Sequence, residues 1–190
     1  MREARTIDVR WVASGAARRT LALVAGTVLV ALAAQVAVPV PGTPVPITLQ
    51  VAAVLVVGGL LGPALGAGSL ALYLVLGAAG LPVFAPAGLP GLARLFGPTG
   101  GYLLALPLGA AVAGIAALPP RRGVRLVAGL ALAVLLIHAG GVAQLAILDG
   151  DLGIAWRLGS LPFLLGDLAK LLVAAVVIGR LGQPIRRALL

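Results

Sequence analysis

Asp167 and Lys170 are the residues whose types and spacing most directly suggest chemistry. They interrupt the apolar run 161–178, and Lys170 is the only lysine in the chain. A charged side chain near the middle of a membrane costs several kcal/mol, about 2.5–3.5 on insertion scales. Because residues three apart share one face of a helix, the carboxylate and the ammonium can neutralise each other. Such a pair predicts a functional site, and the alternative is an ion pair that only holds helices together.

The composition is that of an integral membrane protein. Hydrophobic residues make up 61% of the 190 residues and the mean hydropathy is +1.16, whereas soluble domains have roughly 45–50% apolar residues. This length predicts a single membrane domain, residues 1–190. The chain has no cysteine and a single histidine, His138, too few ligands for a zinc site. No glycine-rich phosphate loop precedes the lysine, so ATP hydrolysis would require a partner. We also expect no cofactor.

The apolar segments predict an all-α fold of six transmembrane helices. Helical spans need about 20 apolar residues, and Pro, Gly and charged residues divide the chain into six candidates. The second and third are short and could form a broken span or a tight hairpin. The Gly/Pro-rich connection 81–99 has the length of a lid or a binding loop. The approximate predicted spans are 20–38, 48–61, 64–80, 101–118, 124–148 and 161–180.

The arginines predict the orientation of these helices. Eleven lie at the termini and in the loop between the fourth and fifth spans, against two on the opposite side, Arg94 and Arg157. Because positive charge concentrates on the cytoplasmic side, we expect both termini to be cytoplasmic in a multi-pass protein of the cell membrane. Asp167 and Lys170 then lie about two helical turns below the outer surface. The eleven are Arg2, Arg5, Arg10, Arg18, Arg19, Arg121, Arg122, Arg125, Arg180, Arg186 and Arg187.

The distribution of positive charge also indicates which kind of partner the protein has. The net charge of +9 is carried by arginines at the ends of apolar runs, with no aromatic residues between them and no polar domain to hold them. Nucleic-acid binding would require a basic face on a recognisable binding module. We therefore expect the lipid bilayer as a partner and no nucleic acid.

Four segments carry a family resemblance. They are PVPITLQ at 44–50, LYLVLGAAGLPVFA at 72–85, GPTGGY at 97–102 and PFLLGDLAK at 162–170. In this order and at these spacings they resemble the biotin-transporter substrate-binding family, the S-components for biotin in energy-coupling factor (ECF) transporters. The similarity covers about residues 39–170.

The resemblance implies a six-helix S-component that captures biotin from outside for ATP-driven uptake, and no enzymatic activity. The implied partners are an energy-coupling transmembrane subunit and two ABC-type ATPases. The Asp-x-x-Lys match implies that Asp167 and Lys170 bind the substrate. A carboxylate can accept hydrogen bonds from the ureido N–H groups of biotin, and an ammonium can donate to an acceptor oxygen.

Other polar residues are candidates for the same site. Arg94 is the candidate for the ligand carboxylate, which a guanidinium can bind in bidentate fashion; a solvated loop arginine is the alternative. Tyr102, Gln50 and Tyr73 lie in the matching segments and are candidates to line the pocket, with interfacial anchoring or packing as equal alternatives. His138 and Gln144 are evenly divided between interhelical hydrogen bonds and pocket lining.

Two other functions stay open from the sequence. The first is an S-component for a different vitamin, against which the biotin-like segments argue. The second is an integral membrane protein that does not transport. An enzyme would need a base or nucleophile with an orienting partner, and only Asp167 and Lys170 offer one. A structural subunit would not need a buried ion pair open to the outside.

Overall fold

The computed structural model describes residues 15–119 and 123–189, which are mostly helical. Along this part of the chain a short antiparallel β pair separates the first two helices, and a 3₁₀ helix precedes the fourth. The bounds are α1 Gly15–Gln35, β1 Ala37–Val38, β2 Ile47–Thr48, α2 Gln50–Leu61, α3 Pro63–Ala78, the 3₁₀ helix Gly91–Phe96, α4 Gly100–Ala116, α5 Gly123–Asp149, α6 Leu152–Gly159 and α7 Leu164–Leu189.

A helix lies in each of the six apolar segments, with differences at the ends. α1 ends at Gln35 instead of residue 38, because Ala37 pairs with Thr48 and Val38 with Ile47. The four prolines between 39 and 46 lie outside any helix, since proline lacks the amide that a helix interior needs. α6 is an additional short helix, and α7 continues to Leu189, beyond the predicted end at 180.

α2 and α3 form a tight hairpin at Gly62. Gly62 has φ +86°, a left-handed conformation that glycine adopts without steric cost. A Cβ added to Gly66 would meet the Cα of Gly58, although residues eight apart in one continuous helix are about 12 Å apart. The hairpin therefore depends on small residues on both sides of the turn.

Helix length and composition support fewer membrane spans than six. Among residues 15–119 and 123–189, α1 and α5 are long and apolar enough to cross a membrane, and α6 with α7, bent by 53°, is a third candidate. α2, α3 and α4 are apolar but shorter, at 12, 16 and 17 residues. At 1.5 Å per residue α2 reaches only about 18 Å, less than the hydrocarbon thickness of about 30 Å.

Helix packing leaves many large apolar side chains facing outwards. α4 packs extensively against α5, α2 against α7, and α3 against α4. One core cluster contains residues of α1, α2, α3, α4 and α5 around Leu70 and Tyr73. Another contains residues of α2, α4, α5 and α7 around Leu55. Leu21 is 70% exposed and Leu165 is 82% exposed. Many other large apolar side chains are also exposed, and such an extensive apolar surface indicates contact with lipid.

Charged residues separate between the two ends of this bundle. One end holds the β pair, the loop 79–99, α6 and the start of α7, with Arg94 and Arg157. The other end holds the α2–α3 turn and the end of α7, with Arg18, Arg19, Arg125, Arg180, Arg186 and Arg187. Arg2, Arg5, Arg10, Arg121 and Arg122, which also entered the prediction of orientation, lie outside the described residues.

Candidate functional site

A pocket lies at the end of the bundle that carries Arg94. It is bounded by the β2–α2 segment, the loop before α4, and the facing sides of α4, α5 and α7. One part of its wall is apolar and includes Leu106, Ile137 and Phe163. Its polar lining consists of Thr48, Gln50, Arg94, Thr99, Tyr102, His138, Asp167 and Lys170.

Asp167 is the centre of a buried hydrogen-bond chain. The residue is 3% exposed. Lys170 Nζ donates to its Oδ1 at 2.8 Å, and His138 Nε2 lies 2.8 Å from its Oδ2. Ser160 Oγ lies 2.9 Å from His138 Nδ1. Since an ionised carboxylate only accepts, a neutral His138 carries its hydrogen on Nε2 and accepts from Ser160 on Nδ1.

These hydrogen bonds orient the Asp167 carboxylate and leave some of its lone pairs free to accept further hydrogen bonds. Asp167 lies in the first turn of α7, where the helix dipole favours negative charge. A carboxylate offers about four lone-pair positions, and the bonds from Lys170 and His138 occupy two of them. A ligand with two N–H donors can therefore bind Asp167 without displacing either protein partner.

Arg94 is the second polar group of the pocket and comes from the 3₁₀ helix. It is 4% exposed, and its Nη2 donates to the carbonyl oxygen of Ala85 at 2.9 Å. Its Nε is buried without a hydrogen-bond partner among the described residues. Burial lowers the pKa of Arg94 from its usual value, and the neighbouring Tyr73 phenol opposes this shift. A buried donor without a partner is costly, and a guanidinium nitrogen of this kind can donate to an anionic ligand.

Two glutamines hold the loop that carries Arg94. Gln144 Nε2, from α5, donates to the carbonyl oxygens of Leu95 at 3.0 Å and Gly97 at 2.6 Å. Gln35 Nε2, at the end of α1, donates to the carbonyl oxygen of Phe84 at 3.2 Å. Of the two roles open for Gln144, the structure favours an interhelical tie over pocket lining.

Of the remaining predicted residues, two line the pocket and one packs behind the lining. Tyr102 lines the pocket and donates through its hydroxyl to the Gly159 carbonyl oxygen at 2.6 Å. Gln50 also lines the pocket, and its Nε2 donates to the Tyr73 hydroxyl at 3.1 Å. Tyr73 is fully buried and packs edge-on against Phe84, with ring centroids 5.4 Å apart. Tyr73 therefore supports Gln50 from behind and is not part of the lining.

The sequence did not identify every residue of this site. The sequence makes His138 a candidate for interhelical hydrogen bonds but does not indicate its contact with Asp167, which is 29 positions away. Phe163 and Thr48 lie in the PFLLGDLAK and PVPITLQ segments, yet their types alone gave no reason to select them. Ser160 had no sequence signal, because its role depends on the turn between α6 and α7.

Comparisons with known proteins agree on one family. The model of the BioY family matches residues 4–187. The chain is 40% identical to a probable biotin transporter BioY of Pyrococcus horikoshii over 80% of this chain and 89% of that protein. It is also 40% identical to the biotin transporter BioY of Thermotoga maritima, over 82% of this chain and 90% of that protein.

A solved structure is similar over nearly the whole chain. The crystal structure of the S-component for biotin from an ECF-type ABC transporter superposes with a TM-score of 0.77. Its sequence is 26% identical, and the match covers 94% of each chain. The helical arrangement described above is therefore similar to that of this S-component.

Proposed function

Because this chain belongs to the BioY family, we propose that it is the biotin-binding S-component of an ECF-type transporter. The family resemblance predicted from the four sequence segments is confirmed. The chain is a transport protein and not an enzyme. The observation that carries the substrate assignment is the pocket in which a carboxylate with open accepting capacity and a buried guanidinium lie among apolar side chains.

Asp167 and Lys170 bind the ureido ring in this proposal. Biotin offers two ureido N–H donors, and the Asp167 carboxylate has two lone-pair positions left for them. Lys170 uses one of its three hydrogens on Asp167 and can donate another to the ureido oxygen. A site built from buried polar groups rejects an analogue that leaves them unpaired, so these two side chains give the selectivity.

Arg94 binds the carboxylate of biotin, and the apolar wall receives the thioether ring and alkyl chain. The buried Nε of Arg94 supports this assignment because it has no other acceptor among the described residues. Gln50 and Tyr102 also line the pocket, and the Tyr73 hydroxyl accepts a hydrogen bond from Gln50. The charged groups of the pocket, Arg94 and the Asp167–Lys170 pair, thus match the two polar ends of one ligand.

We expect residues 1–190 to form one domain that crosses the cell membrane six times, with both termini in the cytoplasm. The arginines at the end opposite the pocket support this orientation. The crossing by short α2 is completed by the irregular segment before it, which lines the pocket through Val45 and Pro46. Non-helical backbone is tolerated at membrane depth where it lines a cavity.

Energy for uptake comes from partner subunits in this proposal. The S-component delivers biotin through an energy-coupling transmembrane subunit with two ABC-type ATPases, and its similarity to the S-component of an ECF-type ABC transporter supports this assembly. A pull-down of the tagged chain from its native membranes is expected to recover these subunits.

Binding by the purified chain tests the function. The full chain is purified in detergent, small molecules released from it are identified by mass spectrometry, and biotin is titrated by calorimetry. We expect biotin in the released fraction and one biotin bound per chain, with no competition from thiamine or riboflavin in large excess. Stoichiometric binding of another vitamin, with none of biotin, would contradict the proposal.

A glycine that faces Arg94 gives a further prediction. Gly88 has φ +115°, and a Cβ at this position would overlap Nη1 of Arg94. We expect Gly88→Ala to displace the guanidinium and to weaken biotin binding about tenfold or more, because a hydrogen bond to a charged group contributes roughly 1.5–3 kcal/mol. Calorimetric titration measures the loss.

Gly80→Ala is the matched control for this variant. Gly80 also has positive φ, +98°, but an added Cβ would meet nothing within 4 Å. Both variants should lose about 1–3 kcal/mol of stability from backbone strain. Only Gly88→Ala should lose biotin affinity, and equal affinity losses in both variants would refute the role of Gly88 in placing Arg94.

A further inference from the structure

A second pocket lies at the end of the bundle opposite the biotin site. It is formed by the α2–α3 turn, the end of α4, the start of α1 and the last turns of α7. Its apolar wall includes Leu61, Leu65, Leu118 and Leu189, and its charged groups are Arg19, Arg186 and Arg187. The combination of guanidinium groups with an apolar wall suits an amphiphilic anion.

The backbone brings these arginines together. Arg186 Nη1 donates to the carbonyl oxygen of Gly59 and anchors α7 to α2, with a distance of 2.6 Å. Arg18 Nη1 donates to the carbonyl oxygen of Ala188 at 3.0 Å, which joins the start of α1 to the end of α7. Arg19 follows Arg18 in the sequence, and Arg187 follows Arg186. Both Arg19 and Arg187 are exposed and line the pocket.

Arg19 and Arg187 have no acidic side chain beside them among residues 15–119 and 123–189. The acids of this part of the chain, Asp149, Asp151 and Asp167, lie at the end of α5 and at the starts of α6 and α7. Arg187 follows Asp167 by 20 positions on the same helix, about 30 Å along its axis. The first turn of α3 forms part of the pocket wall, and its amide dipoles also favour an anion.

We propose that this pocket binds the phosphate of an anionic membrane phospholipid, with its acyl chains against the leucine wall. Guanidinium groups bind phosphate in bidentate fashion, and basic pockets between membrane helices on the cytoplasmic side bind anionic headgroups. A free phosphate would leave the apolar wall unused, so the membrane lipid is the better match. The site is separate from the biotin pocket: the two pockets share no lining residue and lie at opposite ends of the bundle.

Native mass spectrometry of the purified full chain tests this proposal. Dioleoyl phosphatidylglycerol and dioleoyl phosphatidylcholine, which share acyl chains, are titrated in detergent, with inorganic phosphate in a third series. We expect the chain to retain phosphatidylglycerol selectively. The double substitution Arg19→Gln with Arg187→Gln should weaken this binding about thirtyfold, the effect of removing two arginines near an anionic lipid surface.

Arg180→Gln is the control, because Arg180 is exposed on α7 but is not part of the pocket lining. The control should keep its affinity for phosphatidylglycerol, and all variants should bind biotin as the unmodified chain does. Three results would overturn the proposal: equal binding of phosphatidylcholine, an equal loss in Arg180→Gln, or inorganic phosphate bound as tightly as the lipid. Unchanged biotin binding separates these outcomes from a failure of the transport assignment.

Discussion

Asp167→Asn is expected to abolish measurable biotin binding, with affinity reduced about a thousandfold or more. The substitution replaces an accepting oxygen with an NH₂ donor, which opposes the donors of the ureido ring and of Lys170 or His138. Each lost hydrogen bond to a charged group costs roughly 1.5–3 kcal/mol, and leaving a buried charge without its partner costs about 3–5 kcal/mol. Calorimetric titration of purified variants measures the effect.

Asp151→Asn is the matched control for the same change of side chain. Asp151 is exposed at the N-terminus of α6, where it accepts from the Ile154 amide at 2.9 Å. Asn is about as good an N-cap as Asp, so stability and biotin affinity should stay unchanged. Size-exclusion chromatography establishes whether Asp167→Asn is folded. A folded Asp167→Asn chain with unaltered affinity would remove Asp167 from the site.

Arg94→Gln is expected to remove the selectivity of the chain for the charged end of biotin. In the unmodified chain, replacing the biotin carboxylate with a neutral carboxamide should weaken binding about thirtyfold, within the range of one or two charge-assisted hydrogen bonds. In Arg94→Gln the two ligands should bind about equally, because the group that distinguishes them is absent. Titration of both ligands into both proteins measures this coupling.

The control for Arg94 is Arg157→Gln. Arg157 lies on α6 at the same end of the bundle, but it is exposed and does not line the pocket. Its removal lowers the local positive charge without touching the ligand, so the preference for the carboxylate should remain. If Arg94→Gln retained the full preference, another residue would bind the carboxylate and the orientation of biotin would have to be revised.

Local spacing was sufficient to predict the Asp167–Lys170 pair. Two residues three apart on one helix share a face regardless of how the rest of the chain folds. In the structure Lys170 Nζ lies 2.8 Å from Asp167 Oδ1. The contact of His138 with Asp167 depends instead on how α5 packs against α7. The sequence shows only a single histidine in an apolar segment, which is compatible with many partners.

The burial of Arg94 could also not be predicted from the sequence. Its burial depends on the course of the loop 81–99, which Gln35 and Gln144 fix from two different helices. An arginine in such a loop is as compatible with solvent as with a pocket. The sequence does not predict α6, because a helix of 8 residues is too short to read as a membrane span, although Asp151 is a recognisable N-cap signal.

A structure of the chain with biotin bound is the most direct test of how the site recognises its ligand. The account predicts the ureido nitrogens within hydrogen-bond distance of the Asp167 carboxylate, the ureido oxygen near Lys170 Nζ, and the biotin carboxylate on the Arg94 guanidinium. Biotin bound in the reverse direction, or bound outside this pocket, would contradict it.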